Sequence, residues 1–292
     1  FPVCFSEEPK TVCVVGGSNN NSSLKSMECY DVDANSWSVM PSELREERSF
    51  VATCVLEGNM FVVGGHGVGR PLHDVDRYNF KTGVWSRMSN MRNARYGHCA
   101  LVLGGFVYAL GGFCSGQVFD TVERYDVSAN TWSNVAPMPT ARAYFGACVL
   151  EGCIFVYGGF NRTNSVLSSV ERYDPDTDTW SEVASMSKAR MMVSGAVLGG
   201  YIYVCGGRDE QEIPQQSVER YDHETNKWVE VAPMLVGRTG HSVVACGCHL
   251  YSIGGFDNNK ISVSSVERYD PVKDKWESMS HMGGERCYMG AC

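Results

Sequence analysis

No stretch of this 292-residue sequence approaches the roughly 18 consecutive apolar residues that span a bilayer, so no transmembrane helix and no membrane partner are expected. The opening FPVCFSEEPK lacks the basic-then-apolar layout of a signal peptide. Lysine and arginine form no run, and 25 of them against 33 Asp and Glu leave a formal charge of −8. The cationic surface that phosphate backbones require is missing, which sets nucleic acid aside. There is no Cys-x-x-Cys, no His-x-His and no Glu-x3-Asp-x3-His, and the seven histidines (His66, His73, His98, His223, His241, His249, His281) are scattered. No metal and no cofactor is expected. Phosphate loops and nucleophile elbows are absent too: GGHGVGR at 64–70 has the glycines at the wrong spacing and follows a strand without opening a helix. Catalytic residues: none.

What is present is repetition. Glycine pairs at Gly16/Gly17, Gly64/Gly65, Gly111/Gly112, Gly158/Gly159, Gly206/Gly207 and Gly254/Gly255 fall 47 or 48 residues apart. The six tryptophans, Trp37, Trp85, Trp132, Trp180, Trp228 and Trp276, each follow a tyrosine by seven residues. An arginine marks every unit: Arg48, Arg95, Arg142, Arg190, Arg238 and Arg286. SVERYD occurs three times and TVERYD once, so the acid-Arg-Tyr segment belongs to construction rather than to chemistry.

Each unit reads as four short strands. In the copy from Arg142 to Met186 these are AYFGACVL, CIFVYGG, SSVERYD and TWSEVASM, separated by turn residues. The second is almost wholly apolar, as a strand covered on both faces should be, and the third alternates as a half-exposed strand would. No amphipathic helix of useful length occurs. The expected fold is all-β: a six-bladed propeller of four antiparallel strands per blade.

Glycine pair, Tyr and Trp together resemble the Kelch repeat, over essentially the whole chain. WD40 is excluded by the period and by the missing Trp-Asp dipeptide. One domain, 1–292, is expected, with blades at about 11–40 plus 286–292, 48–88, 95–138, 142–186, 190–234 and 238–279. The first blade is expected to take its inner strand from residues 286–292, because the chain starts on a second strand and stops on a first. Thirteen cysteines, an odd count in a chain this long, do not suggest a disulfide scaffold, and Cys54, Cys148 and Cys292 share a repeat position with Leu101, Ala196 and Val244, so there cysteine fills space. A cytoplasmic location, with nucleus or cytoskeleton as variants, is expected, and the sequons at Asn20, Asn21 and Asn161 read as incidental.

Connections alternate ends in such blades. The turns between first and second and between third and fourth strands are short and uniform, whereas the loops joining second to third strands (SNNNSSLKS, HGVGRPLHD, FCSGQVFD, FNRTNSVLS, RDEQEIPQQ, FDNNKISVS) share almost nothing. Diversified loops on a repeated frame point to a binding face formed by them and the inter-blade loops. Candidate peptide-binding residues are those after the glycine pairs, Ser18, His66, Phe113, Phe160, Arg208 and Phe256, with Phe50, Tyr96, Tyr144, Met191 and Tyr288 and the repeated Arg142, Arg190 and Arg238. Two roles stay open for these: ligand contact or plugging the channel, and for the arginines, ligand contact or bonding to backbone carbonyls. Fourteen Lys and Arg against ten acids on this face lead to the expectation of an acidic or phosphorylated peptide.

The resemblance also implies a function. Kelch-like proteins join the propeller to BTB and BACK domains that bind a cullin scaffold, and the propeller captures the protein to be ubiquitinated. This chain carries neither domain, so a cullin would be reached only through regions outside it. A cytoskeletal scaffold is the second reading implied by resemblance, and a metal-dependent Kelch enzyme the third.

Overall fold

The computed structural model describes residues 10–292; residues 1–9, placed inside the domain by the sequence reading, lie outside the described residues. Segments rich in β-branched and aromatic residues, such as CIFVY and YIYVC, form the second strands and are buried on both faces, as their lack of alternation implies. Six four-stranded antiparallel sheets result. From the inner to the outer edge, blade two holds Ala52–Leu56, Asn59–Val63, Val75–Asn79 and Val84–Arg87. Blade three holds Cys99–Leu103, Phe106–Leu110, Val122–Asp126 and Thr131–Val135. Blades four to six begin at Gly146–Leu150, Ser194–Leu198 and Ser242–Cys246 and end at Thr179–Val183, Lys227–Val231 and Lys275–Met279. Among the described residues no strand is displaced by a helix.

Blade one closes the ring. Gly290–Ala291 pairs with Thr11–Val15, followed by Met27–Asp31 and Ser36–Val39, and Cys13 and Cys292 exchange backbone hydrogen bonds at 2.8 and 3.0 Å. The expected latch from residues 286–292 is therefore present, and it leaves no blade with an unpaired inner strand.

The core lies between blades. Ile154, Val156 and Tyr173 of blade four pack on Leu101, Tyr108 and Leu110 of blade three. The third strand departs from the half-exposed pattern expected of it, because Glu171 is buried along with Val170 and Tyr173.

The reason is the repeated arginine. Arg190 donates to the Gly206 and Ser217 carbonyls at 2.9 and 3.1 Å and to Glu219 Oε1 at 2.8 Å, all within its own blade. Its own carbonyl accepts from the Gly159 N–H of the preceding blade at 2.9 Å. The same carbonyl lies 2.5 Å from where a Cβ on Gly158 would sit, and φ there is +66°, so glycine is required twice over. Each of the six arginines pairs with the acid of its blade's third strand: Asp76, Glu123, Glu171, Glu219, Glu267 and, for Arg286, Glu28. The pairing is thus complete around the ring.

Outer strands are tied by a two-point clamp. Trp132 Nε1 donates to the Ser89 carbonyl of blade two at 2.8 Å, while Asn130 Oδ1 accepts from the Ser89 N–H and from the Tyr125 hydroxyl. Trp180, Trp228, Trp276 and Trp37 repeat this on Ala136, Ala184, Ala232 and Ser280. The seam between blades one and two is the exception. Pro41 stands where the clamped residue belongs and has no N–H to give, Gly83 replaces the Asx, and the buried Trp85 Nε1 has no partner.

In five blades an aromatic residue of the second strand faces an arginine of the third: Phe61 and Arg77, Tyr108 and Arg124, Phe155 and Arg172, Tyr203 and Arg220, Tyr251 and Arg268. In blade one these positions are Cys13 and Cys29, which are joined by a disulfide. Cys54 and Cys148 remain buried free thiols, consistent with filling space.

Candidate functional site

Two residues after each repeated arginine the backbone turns into the left-handed region, at Phe50, Gly97, Tyr144, Met192, Gly240 and Tyr288, with φ between 51° and 63°. Four of these are large side chains in a conformation that disfavours them. A chain of hydrogen bonds holds them there: Tyr144 N–H donates to Gly97, Met192 to Tyr144, Gly240 to Met192, Tyr288 to Gly240 and Phe50 to Tyr288, at 2.6–3.0 Å. This inner ring brings residues of all six blades together around a shared cavity. Phe50 and Tyr288 stack at 3.9 Å, and Phe50 meets Tyr144 edge-on at 5.4 Å. Gly97 and Gly240 make room, since a Cβ on either would lie 2.8 or 2.5 Å from the Tyr144 or Tyr288 ring.

One residue nearer each arginine lies a bridge to the residue after the glycine pair: Cys287 with Ser18, Ser49 with His66, Tyr96 with Phe113, Ala143 with Phe160, Met191 with Arg208, Thr239 with Phe256. These form an outer ring around the inner one. Tyr144 stacks on Phe160 at 5.6 Å, Phe256 lies 5.3 Å from Tyr288, and Tyr96 touches Phe50, His66 and Phe113 at 5.3–5.8 Å. The result is a nearly continuous aromatic floor interrupted at blade five by Arg208 and at blade one by Ser18. Burial raises the Tyr144 hydroxyl well above its ordinary pKa and that of Tyr288 to about 12, and the nearby Arg208 guanidinium offsets part of each shift. Both hydroxyls are neutral donors at neutral pH.

Eleven of the fourteen sequence candidates thus come together on one half-buried surface: Ser18, Phe50, His66, Tyr96, Phe113, Tyr144, Phe160, Met191, Arg208, Phe256 and Tyr288. The other three do not. Arg142, Arg190 and Arg238 are 0% exposed and spend their donors on Glu171, Glu219, Glu267 and backbone carbonyls, so they are corrected from ligand-binding to framework residues. Met192 and the spacers Gly97 and Gly240 went unrecognised, although their fixed distance from the arginine was a usable signal.

Burial of the six framework arginines also removes the basic excess. Of fourteen cations on this face eight remain unburied, against nine of its ten acids. Those eight are largely engaged: Lys25 with Glu43, Arg162 with Asp120, Lys188 with Glu230, and Arg208 and Lys260 with Glu212. The electrostatic basis for an acidic ligand is absent.

The diversified loops are also more orderly than their sequences. Blades two and three use two-residue hairpins, His66–Gly67 with Arg70–Pro71 and Phe113–Cys114 with Gln117–Val118. Blades four, five and six share one turn, in which the Oδ1 of Asn161, Asp209 or Asp257 accepts the N–H groups two and four residues on. The tip residues Asn164, Glu212 and Lys260 all have φ near +60°. One scaffold therefore presents three different sets of side chains.

A family model described as the KLHDC2/KLHL20/DRC7 Kelch-repeats domain matches residues 10–207 and 97–289. An 81-residue stretch is 35% identical to the F-box/kelch-repeat protein At1g67480 of Arabidopsis thaliana, covering 27% of this chain and 21% of that protein. In Mus musculus, Kelch-like protein 35 is 28% identical over 33% of the chain and 17% of its own length, and Kelch-like protein 8 is 36% identical over 23% and 10%. The matched stretches thus span about a fifth or less of these relatives.

Proposed function

The chain belongs to the Kelch-repeats domain family, and from that premise we propose that it is a noncatalytic receptor that binds a peptide segment of another protein on the face of the aromatic floor, as the substrate-recognition part of a cullin-RING ubiquitin ligase. The observation that carries the binding role is the aromatic floor itself. Large aromatic side chains held half-exposed by a strained backbone and a run of five hydrogen bonds from Gly97 round to Phe50 are preorganised, which lowers the entropy cost of binding. The ligase role is supported by the Kelch-like and F-box/kelch-repeat relatives.

Affinity capture from cells with the intact domain, compared with Phe160→Ala and Arg208→Glu, tests the reading. Both side chains are half-buried at the surface, so neither change should unfold the ring. A specific partner should be lost in each variant and should accumulate when the full-length protein is depleted. Equal capture by all three proteins would exclude this face, and a captured partner whose lifetime is unaffected would exclude the ligase role.

A further inference from the structure

At the rim between blades five and six, four aliphatic side chains stand in solvent: Ile213 at 54%, Leu235 at 56%, Val236 at 38% and Ile261 at 49% exposure. Three segments bring them together. Ile213 and Ile261 occupy the same position of the shared Asx-capped turn in adjacent blades, and the Lys260–Glu212 ion pair at 3.5 Å ties the two turns. Between them runs the loop carrying Leu235 and Val236, wedged so closely that a Cβ on Gly237 would lie 2.8 Å from the Pro214 carbonyl and 2.9 Å from Asn258 Oδ1.

The other repeats show that the fold does not need apolar residues here. The turn position of Ile213 and Ile261 is Ser165 in blade four. The positions of Leu235 and Val236 are Arg45 and Glu46, Arg92 and Asn93, Pro139 and Thr140, Ser187 and Lys188, and Gly283 and Gly284 elsewhere. Four exposed aliphatics gathered in one sector, on loops fixed by hydrogen bonds, are what an interface anchor requires, whereas Val68 of blade two stands exposed on the rim singly. Asp209 and Asp257 spend carboxylate oxygens on capping their turns, and Glu212 pairs with Arg208 and Lys260, which leaves the exposed Glu210 as the carboxylate beside the patch.

Building on the function proposed above, we propose that the blade five–six rim is a subsite for a partner segment carrying an aliphatic or aromatic residue beside a lysine or arginine. The apolar side chain rests on Ile213, Leu235, Val236 and Ile261, and the cation meets the Glu210 carboxylate of the blade-five turn. The segment then runs inward over Arg208 to the aromatic floor.

Panning a phage-displayed random 12-residue peptide library on the intact protein, with affinities of the selected peptides measured by titration calorimetry, tests the subsite. The selected peptides should pair an apolar residue with an adjacent Lys or Arg. Ile213→Ser and Leu235→Ser, which borrow Ser165 and Ser187 from the chain's own repeats, should each weaken binding at least tenfold without shifting the melting temperature, and Glu210→Arg, borrowing Arg162, should weaken it and lower the preference for basic peptides. Peptides that lose affinity in Phe160→Ala but bind the rim variants unchanged would overturn the subsite and leave the proposed function standing. Selection of acidic peptides would overturn it too, as would a concentration-dependent dimer by sedimentation that Leu235→Ser abolishes, since the patch would then be covered by a second copy. Failure to select any peptide would count against both proposals.

Discussion

Arg286 Nη2 donates to Glu28 Oε1 at 2.7 Å, joining residues 258 apart in sequence inside the first blade. It is the same pair that each other blade makes within some thirty residues, so the two ends of the chain are held by the bond that organises every repeat.

Removing one partner leaves a buried charge without compensation. Arg286→Leu is expected to destabilise the protein by about 3–5 kcal/mol, whereas the double variant Arg286→Met with Glu28→Leu should recover much of that loss. Urea unfolding of the single and double variants measures the difference. Deleting residues 286–292 removes the inner strand as well and should lower the melting temperature further than either.

The one-two seam should open first. Lacking the Pro41 N–H, the Asx acceptor at Gly83 and a partner for Trp85 Nε1, it has the fewest hydrogen bonds between outer strands. Hydrogen exchange followed by mass spectrometry should show Val84–Arg87 exchanging at least tenfold faster than Lys275–Met279. Equal protection would refute the seam.

Stability should fall with acid below neutrality. His98 and His241 are buried between blades, and burial, followed by the Arg95 or Arg238 charge, pushes each down to about 3, with a backbone hydrogen bond to Cys205 offsetting a little of the shift at His241. In the unfolded chain both take a proton near pH 6.5. Between that value and about 3 only the unfolded state is protonated, so stability is intact above 6.5 and declines on acidification by about 1.4 kcal/mol per pH unit for each histidine. His98→Val and His241→Phe, the residues at these positions in blades two and four, should flatten the slope of unfolding free energy against pH.

Blade one replaces an aromatic–arginine pair with a disulfide. Reduction should lower the melting temperature by an amount corresponding to about 3 kcal/mol, the scale for a loop of this size. Cys13→Phe with Cys29→Arg restores the pair of the other blades and should remove the sensitivity to reductant. Free thiols at both positions in alkylated, non-reduced protein would refute the bond.

The repeat, the six blades and the latch were legible because each follows from spacing: a 47- or 48-residue period leaves four strands and a glycine pair to place, and an unpaired first strand has one partner. Side-chain partnerships were less so. Arg142 and Phe160 both sit where the pattern marks the mouth, and nothing in a single sequence separates the one aimed into its blade from the one aimed at solvent. The Cys13–Cys29 bond was hidden similarly, because its partners are sixteen residues apart and meet only through strand register.

Sequence by itself determined the ring, since local strand propensity and a fixed period are properties of the chain read in order. Tertiary structure decided which polar groups remain free, because an arginine's role depends on whether a carboxylate and two carbonyls reach it before solvent does. Around this propeller they reach six arginines, and the face that remains is aromatic at its centre and aliphatic at one edge.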